Sequence, residues 1–151
     1  MKVKEIMTRD LNSIAPDLTV REALALLKKL QISGLPVIDK DGRLLGMFTE
    51  KDVLSYILPS YIEKVGRFIY GESSKITRKK FAELDNIKVS QLMRKEVVTT
   101  REDVTLCEVA KIMLTQKVRR LPVLDTAGKV TGIIARRDVL RGFEQEAQLS
   151  K

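Results

Sequence analysis

The chain has 151 residues, of which 28 are Lys or Arg and 20 are Asp or Glu, for a net charge of +8; 44% are hydrophobic, one is Cys, and none is His or Trp. A chain of this length buries enough surface to fold without a disulfide or metal staple. The lack of His removes Ser-His-Asp, Cys-His and His-metal chemistry, and Cys107 alone builds no structural zinc site, so no metal is expected.

In chain order, the first residues, Met1-Lys2-Val3-Lys4-Glu5, offer neither the apolar core nor the cleavage site of a secretory signal. Apolar stretches such as Leu44 to Thr49 fall far short of the ~20 residues a membrane span needs. A soluble cytoplasmic protein is expected. The short run Leu11 to Ile14 reads as a strand. Thr19 and Glu22 form a Thr-x-x-Glu capping box, opening a helix whose apolar face is Val20, Ala23, Leu24, Leu27 and Leu30. Leu35 to Asp39 and Leu44 to Thr49 read as strands joined through Lys40-Asp41-Gly42, and a second helix opens at Glu50.

From Leu58 to Lys88 the pattern is helical, with Tyr61, Ile62, Val65, Phe68 and Ile69 on one face. A break is predicted at Gly71-Glu72-Ser73-Ser74, a resumed helix over Thr77 to Leu84, and a solvated face at Arg78-Lys79-Lys80. The first pattern then returns: a strand at Val97 to Thr100, a capping box at Thr105 and Glu108, and a helix carrying Leu106, Val109, Ala110 and Met113. Strands follow at Leu121 to Asp125 and Val130 to Ala135 around Thr126-Ala127-Gly128, and a helix at Arg136. The polar tail after Phe143 is expected to fray.

A gapless shift of 86 residues lays Val3 to Ile57 over Val89 to Phe143. Identical pairs include Met7 and Met93, Thr19 and Thr105, Gly46 and Gly132, and the runs Leu35-Pro36-Val37 and Asp52-Val53-Leu54 with Leu121-Pro122-Val123 and Asp138-Val139-Leu140. The chain is therefore two copies of one β-α-β-β-α unit, each too small to bury much core alone. Pro36 and Pro122, near a strand start, also avoid wasting a ladder donor.

The segment Gly46-Met47-Phe48-Thr49-Glu50-Lys51-Asp52 sets a hydroxyl and a carboxylate three residues apart at a helix N-terminus, beside amides that favour an anion. Either Thr49 and Asp52 only cap the helix, or the amides and Thr49 take a phosphate while Asp52 accepts from vicinal ribose hydroxyls. The second copy reads Gly132-Ile133-Ile134-Ala135-Arg136-Arg137-Asp138, so the carboxylate is kept where the cap hydroxyl is gone.

Together, these features resemble a tandem pair of cystathionine beta-synthase (CBS) domains over nearly the whole chain. The resemblance implies an α/β (α+β) fold of two β-α-β-β-α repeats packed about a pseudo-twofold axis. Repeat 1 would span residues 1–57, a helical connector 58–88, repeat 2 89–143 and a polar tail 144–151. It implies a non-catalytic regulatory module that requires no cofactor and binds AMP, ADP, ATP or S-adenosylmethionine in two clefts. Ser13, Ile14, Ala15, Gly34, Leu35 and Pro36 would line the first, with Thr49 on phosphate or ribose and Asp52 on the ribose hydroxyls. Thr99, Thr100, Arg120, Leu121 and Pro122 would line the second, with Asp138 on the ribose. There Ala135 departs from the family's Thr, and Arg120 and Arg136 would compensate as phosphate contacts and favour more highly phosphorylated ligands, unless they are ordinary surface residues or pair with Glu102 and Asp103.

A homodimer is expected through Val53, Leu54 and Ile57 with Val139, Leu140 and Phe143. A regulated protein would lie outside the chain. The alternatives are a nucleic-acid binder, since the basic excess lies after residue 57, and a protein-interaction module without a nucleotide. Three Tyr and four Phe supply few stacking platforms for the former.

Overall fold

The protein is described by a computed structural model over residues 1–58 and 70–149. The chain forms two compact units, one from Ser13–Lys40 and Leu45–Lys95, which holds Asp52, and one from Met1–Asn12, Asp41–Leu44 and Glu96–Lys151, which holds Asp138.

In the Asp52 unit, α1 (Val20–Leu30) starts where predicted. Thr19 Oγ1 accepts from the Glu22 amide at 3.1 Å, and Glu22 Oε1 accepts from the Thr19 amide at 3.4 Å, which satisfies two orphan donors reciprocally. Val20, Ala23 and Leu27, spaced by three and four, are buried against Leu35, Val37, Phe48 and Val53. The helix ends at Gln31 in the left-handed region, φ 56°. β1 (Gly34–Ile38) and β2 (Leu44–Thr49) pair as a two-stranded sheet, and α2 (Glu50–Ile57) follows directly.

The strand expected at Leu11 to Ile14 shrinks to one bridge, Ile14 parallel to Val37. Ile14 donates to the Pro36 carbonyl and accepts from the Ile38 amide, both at 3.0 Å. The next donor in such a ladder is residue 16, and Pro16 has no N–H to give.

The expected apolar face over Tyr61 to Ile69 lies outside the described residues. The break predicted at Gly71-Glu72-Ser73-Ser74 is not present: α3 (Tyr70–Glu83) runs through it. One helical Gly costs about 1 kcal/mol. The C-terminal half of α3 is anchored by several contacts. Tyr56 donates to Glu83, the Lys80 ammonium sits 4.7 Å from the Tyr56 ring centre, and the Arg21 guanidinium lies 4.5 Å from that of Phe81. Arg78 and Lys79 are exposed as expected, whereas Lys80 is half-buried by its ring contact. A single 3-10 turn and α4 (Val89–Leu92) complete the unit.

In the Asp138 unit, β3 (Thr100–Arg101), β4 (Arg120–Leu124) and β5 (Val130–Ala135) form a sheet in that order, β3 parallel to β4 and β5 antiparallel to it. The predicted strand at Val97 to Thr100 thus begins only at Thr100. Between β3 and β4 lies α5 (Leu106–Gln116), which buries Leu106, Val109 and Met113 and also ends in a left-handed residue, Lys117. Its capping box is half made. Thr105 accepts from the Glu108 amide at 3.3 Å without the reciprocal bond, and no contact in the structure explains the difference from Thr19.

α6 (Arg136–Leu149) does not end near Phe143 as expected but runs on to Leu149. Glu144-Gln145-Glu146-Ala147-Gln148 are all good helix formers, and the amino group of Met1 pairs with Glu146.

Each repeat gives its leading segment to the other repeat's body. Residues 1–12 join the Asp138 unit, where Thr8 bridges Ile133 and the Val3 amide donates to the Val104 carbonyl at 2.9 Å. The equivalent segment near residue 90 joins the Asp52 unit, where Arg94 bridges Met47 and the Val89 amide donates to the Leu18 carbonyl at 2.9 Å. Both contacts need a glycine. A Cβ on Gly46 would stand 2.5 Å from the Arg94 carbonyl oxygen, and one on Gly132 would stand 2.9 Å from that of Thr8. Gly46→Ala and Gly132→Ala are therefore each expected to destabilise the protein by about 1–3 kcal/mol through overpacking against backbone, read as lower urea midpoints.

Candidate functional site

Where β2 becomes α2, the chain leaves a strand and must satisfy the first amides of a helix. Asp52, the third helical residue, turns back to do so. Its Oδ2 accepts from the Thr49 amide at 2.9 Å and from the Thr49 hydroxyl at 3.1 Å, while Thr49 Oγ1 faces the Asp52 amide at 3.4 Å. The capping reading is thus realised. It consumes only one carboxylate oxygen, because Oδ1 has no partner among the described residues, and Asp52 remains half-buried.

β1 lies alongside this junction. The Glu50 amide donates to the Ser33 carbonyl at 2.9 Å, and a Cβ on Gly34 would stand 2.7 Å from Thr49 Cγ2. On the other side of β1, Ile14 pairs with Val37. The structure therefore assembles all the predicted residues of the first site along one strand, with Ser13 and Ala15 exposed and Ile14, Gly34, Leu35 and Pro36 buried.

The second set assembles the same way within its own unit. Thr100 pairs with Val123 and Arg120 with Ala135, while the Arg136 amide donates to the Arg119 carbonyl at 3.1 Å. Leu121 and Pro122 are buried, Thr99 is half-buried beside Thr100, and Arg136 is exposed. Asp138 Oδ2 accepts from the Ala135 amide at 2.8 Å.

Three features differ between the units. At the position of Gly34 stands Arg120, paired with Ala135 where Gly34 lies against Thr49. Burial and the neighbouring charges of Arg119 and Arg137 lower the pKa of the Arg120 guanidinium. Thr100, in the place of Ile14, is buried with a hydroxyl that has no partner among the described residues.

Glu102 and Asp103, the alternative partners for Arg120 and Arg136, pair with Arg9 and Lys4 at 3.2 Å each. The leading segment brings these two cations from far back in the chain. Sequence reasoning also missed Arg141, whose Nη2 lies 3.2 Å from Asp138 Oδ1; the i,i+3 spacing on one helix was the available signal. Among the described residues no His, Cys, Asp or Glu cluster could hold a metal, and no helix is long and apolar enough to cross a membrane.

Residues 3–59 and 89–144 match the CBS domain family. The chain is 32% identical over 152 residues to inosine-5'-monophosphate dehydrogenase of Methanocaldococcus jannaschii, covering 99% of this chain but only 25% of that enzyme. The fold is similar to that of CBSX2 of Arabidopsis thaliana in complex with AMP, with a TM-score of 0.73, 31% identity, and coverage of 97% of this chain and 98% of that one. It is also similar to the CBS domain pair of protein MJ0100 in complex with 5-methylthioadenosine and S-adenosyl-L-methionine. There the TM-score is 0.67 and the identity 25%, with 97% of this chain and 98% of that one covered.

Both junctions carry structural weight. Asp138→Ala is expected to cost about 1–3 kcal/mol, because the Ala135 amide loses its acceptor in a place where Asp138 is only 5% exposed. Thr49→Ala, which removes a helix cap, is expected to cost about 0.5–2 kcal/mol. Chemical unfolding of the two variants checks both values.

Proposed function

The chain belongs to the CBS domain family, and from that premise we propose that it is a non-catalytic sensor module that binds an adenosine-containing ligand beside Asp52. The observation that carries this reading is the uncommitted Asp52 Oδ1, held at a helix start next to β1. A carboxylate oxygen in that state accepts well from a vicinal diol, and the adjoining amides and dipole favour a phosphate. AMP, 5-methylthioadenosine and S-adenosyl-L-methionine, the ligands of the two similar structures, share the adenosine group and not the phosphate, which supports the ribose and base as the common element. AMP, ADP, ATP and S-adenosylmethionine are the candidates.

Ser13, Ile14, Ala15, Gly34, Leu35 and Pro36 flank the base in this reading, and Thr49 meets ribose or phosphate. The ligand acts by binding one arrangement of the module better than another, and so shifts their populations. The regulated activity lies outside these 151 residues. Calorimetry on Asp52→Ala tests the assignment: affinity for AMP is expected to fall by about 1.5–3 kcal/mol, the range for a hydrogen bond to a charged group. Unchanged affinity and stoichiometry across the adenine nucleotides would remove Asp52 from the site.

We also propose that the module is a homodimer. Leu54 and Leu140 occupy equivalent positions on α2 and α6 and are 59% and 68% exposed, which is apolar surface neither unit uses internally, whereas Val53, Ile57 and Val139 of the expected interface are buried in their own cores. Light scattering at micromolar concentration is expected to give twice the chain mass; a monomer mass with and without AMP would reject the dimer.

A further inference from the structure

The two copies of the junction also differ within the helix that follows. Position 141 is Arg, while its counterpart in the first repeat is Ser55. Arg141 Nη2 lies 3.2 Å from Asp138 Oδ1 and 3.3 Å from the Ile6 carbonyl oxygen, so the leading segment helps to hold the guanidinium in place. With Oδ2 already bonded to the Ala135 amide at 2.8 Å, both oxygens of Asp138 are engaged, and the side chain is buried. Asp52 commits Oδ2 alone and stays half-buried.

We infer that Arg141 is a specificity-determining residue: it occupies the carboxylate oxygen that a ribose hydroxyl would need, closing the second repeat's site to nucleosides, so that the chain binds one adenosine ligand, at Asp52. This rests on the reading of Asp52 as the ribose acceptor. A ribose hydroxyl would have to share that buried oxygen with a cation that already offsets its charge, and so gains less there than at Asp52 Oδ1. Arg141 is also tethered three residues away on the same helix, so it is always present at high local concentration, and displacing it would leave the Ile6 carbonyl without this donor as well.

The experiment uses the full chain and AMP as the probe, in calorimetry, on wild type, Asp52→Ala, Asp52→Ala/Arg141→Ser and Asp52→Ala/Arg141→Gln, with circular dichroism to confirm folding. Arg141→Ser restores the residue of the first repeat, and Arg141→Gln keeps the stem should the smaller side chain prevent folding. Wild type is expected to bind one AMP per chain, and Asp52→Ala to bind it roughly 10- to 150-fold more weakly, with no second site appearing. A folded double variant is expected to regain one AMP and to bind 2′-deoxy-AMP at least tenfold more weakly, a discrimination that a merely structural role of Arg141 would not create. The inference is overturned if Asp52→Ala keeps an AMP of wild-type affinity with Arg141 in place, or if folded double variants bind AMP no more tightly than Asp52→Ala does. Absence of AMP binding in wild type and every variant would overturn the nucleotide reading itself and the inference with it.

Discussion

One hydrogen bond recurs at the centre of both units: an Asp at the third position of a helix accepts from the backbone amide of the last strand residue before it. The pairs are Asp52 with Thr49 and Asp138 with Ala135. That amide is about to lose its sheet partner, and leaving it buried and unpaired would cost about 1–3 kcal/mol. The bond fixes how the chain turns from strand to helix. The next amide, of Glu50 or Arg136, then reaches the carbonyl just ahead of the neighbouring strand, Ser33 or Arg119. The helix start, the first residues of β1 or β4, and the carboxylate are thereby locked together, and every candidate contact is positioned from that point.

Because the backbone arrangement is shared, side chains alone set the chemistry of each copy. Gly34 lies against Thr49 in one copy, and Arg120 pairs with Ala135 in the other. The exchange replaces a hydroxyl with a guanidinium. It also places Arg120 near Arg119 and Arg137, whereas the matching residues around Asp52 are Gly34, Ser33 and Lys51.

Much of this was legible in the residues. The 86-residue repeat, the Thr-x-x-Glu box at Thr19, the apolar spacing of both long helices and the two hairpins all report local physics, and the grouping of Ser13 to Ala15, Gly34 to Pro36, and Thr49 with Asp52 followed from them together with the family resemblance. What was not legible depends on context. Gly71 and the polar run after Phe143 carry weak local signals that tertiary contacts and good helix formers override. Pro16 shortens a ladder only once its neighbour across the sheet is known. The exchange of leading segments has no local signal, because Met7 and Met93 present the same side chain to equivalent glycines and either pairing satisfies the sequence equally.

That exchange bears on how such a chain holds together. A lone repeat owns a leading segment and a body that, in this structure, are satisfied only by those of the other repeat. Two separate repeats would have to meet by diffusion, at whatever concentration the cell supplies. Joined in one polypeptide, they meet at an effective concentration set by the connector. Tandem duplication thus turns a concentration-dependent assembly into a property of a single molecule, and frees the two copies of the carboxylate junction to drift apart in sequence without either losing its partner.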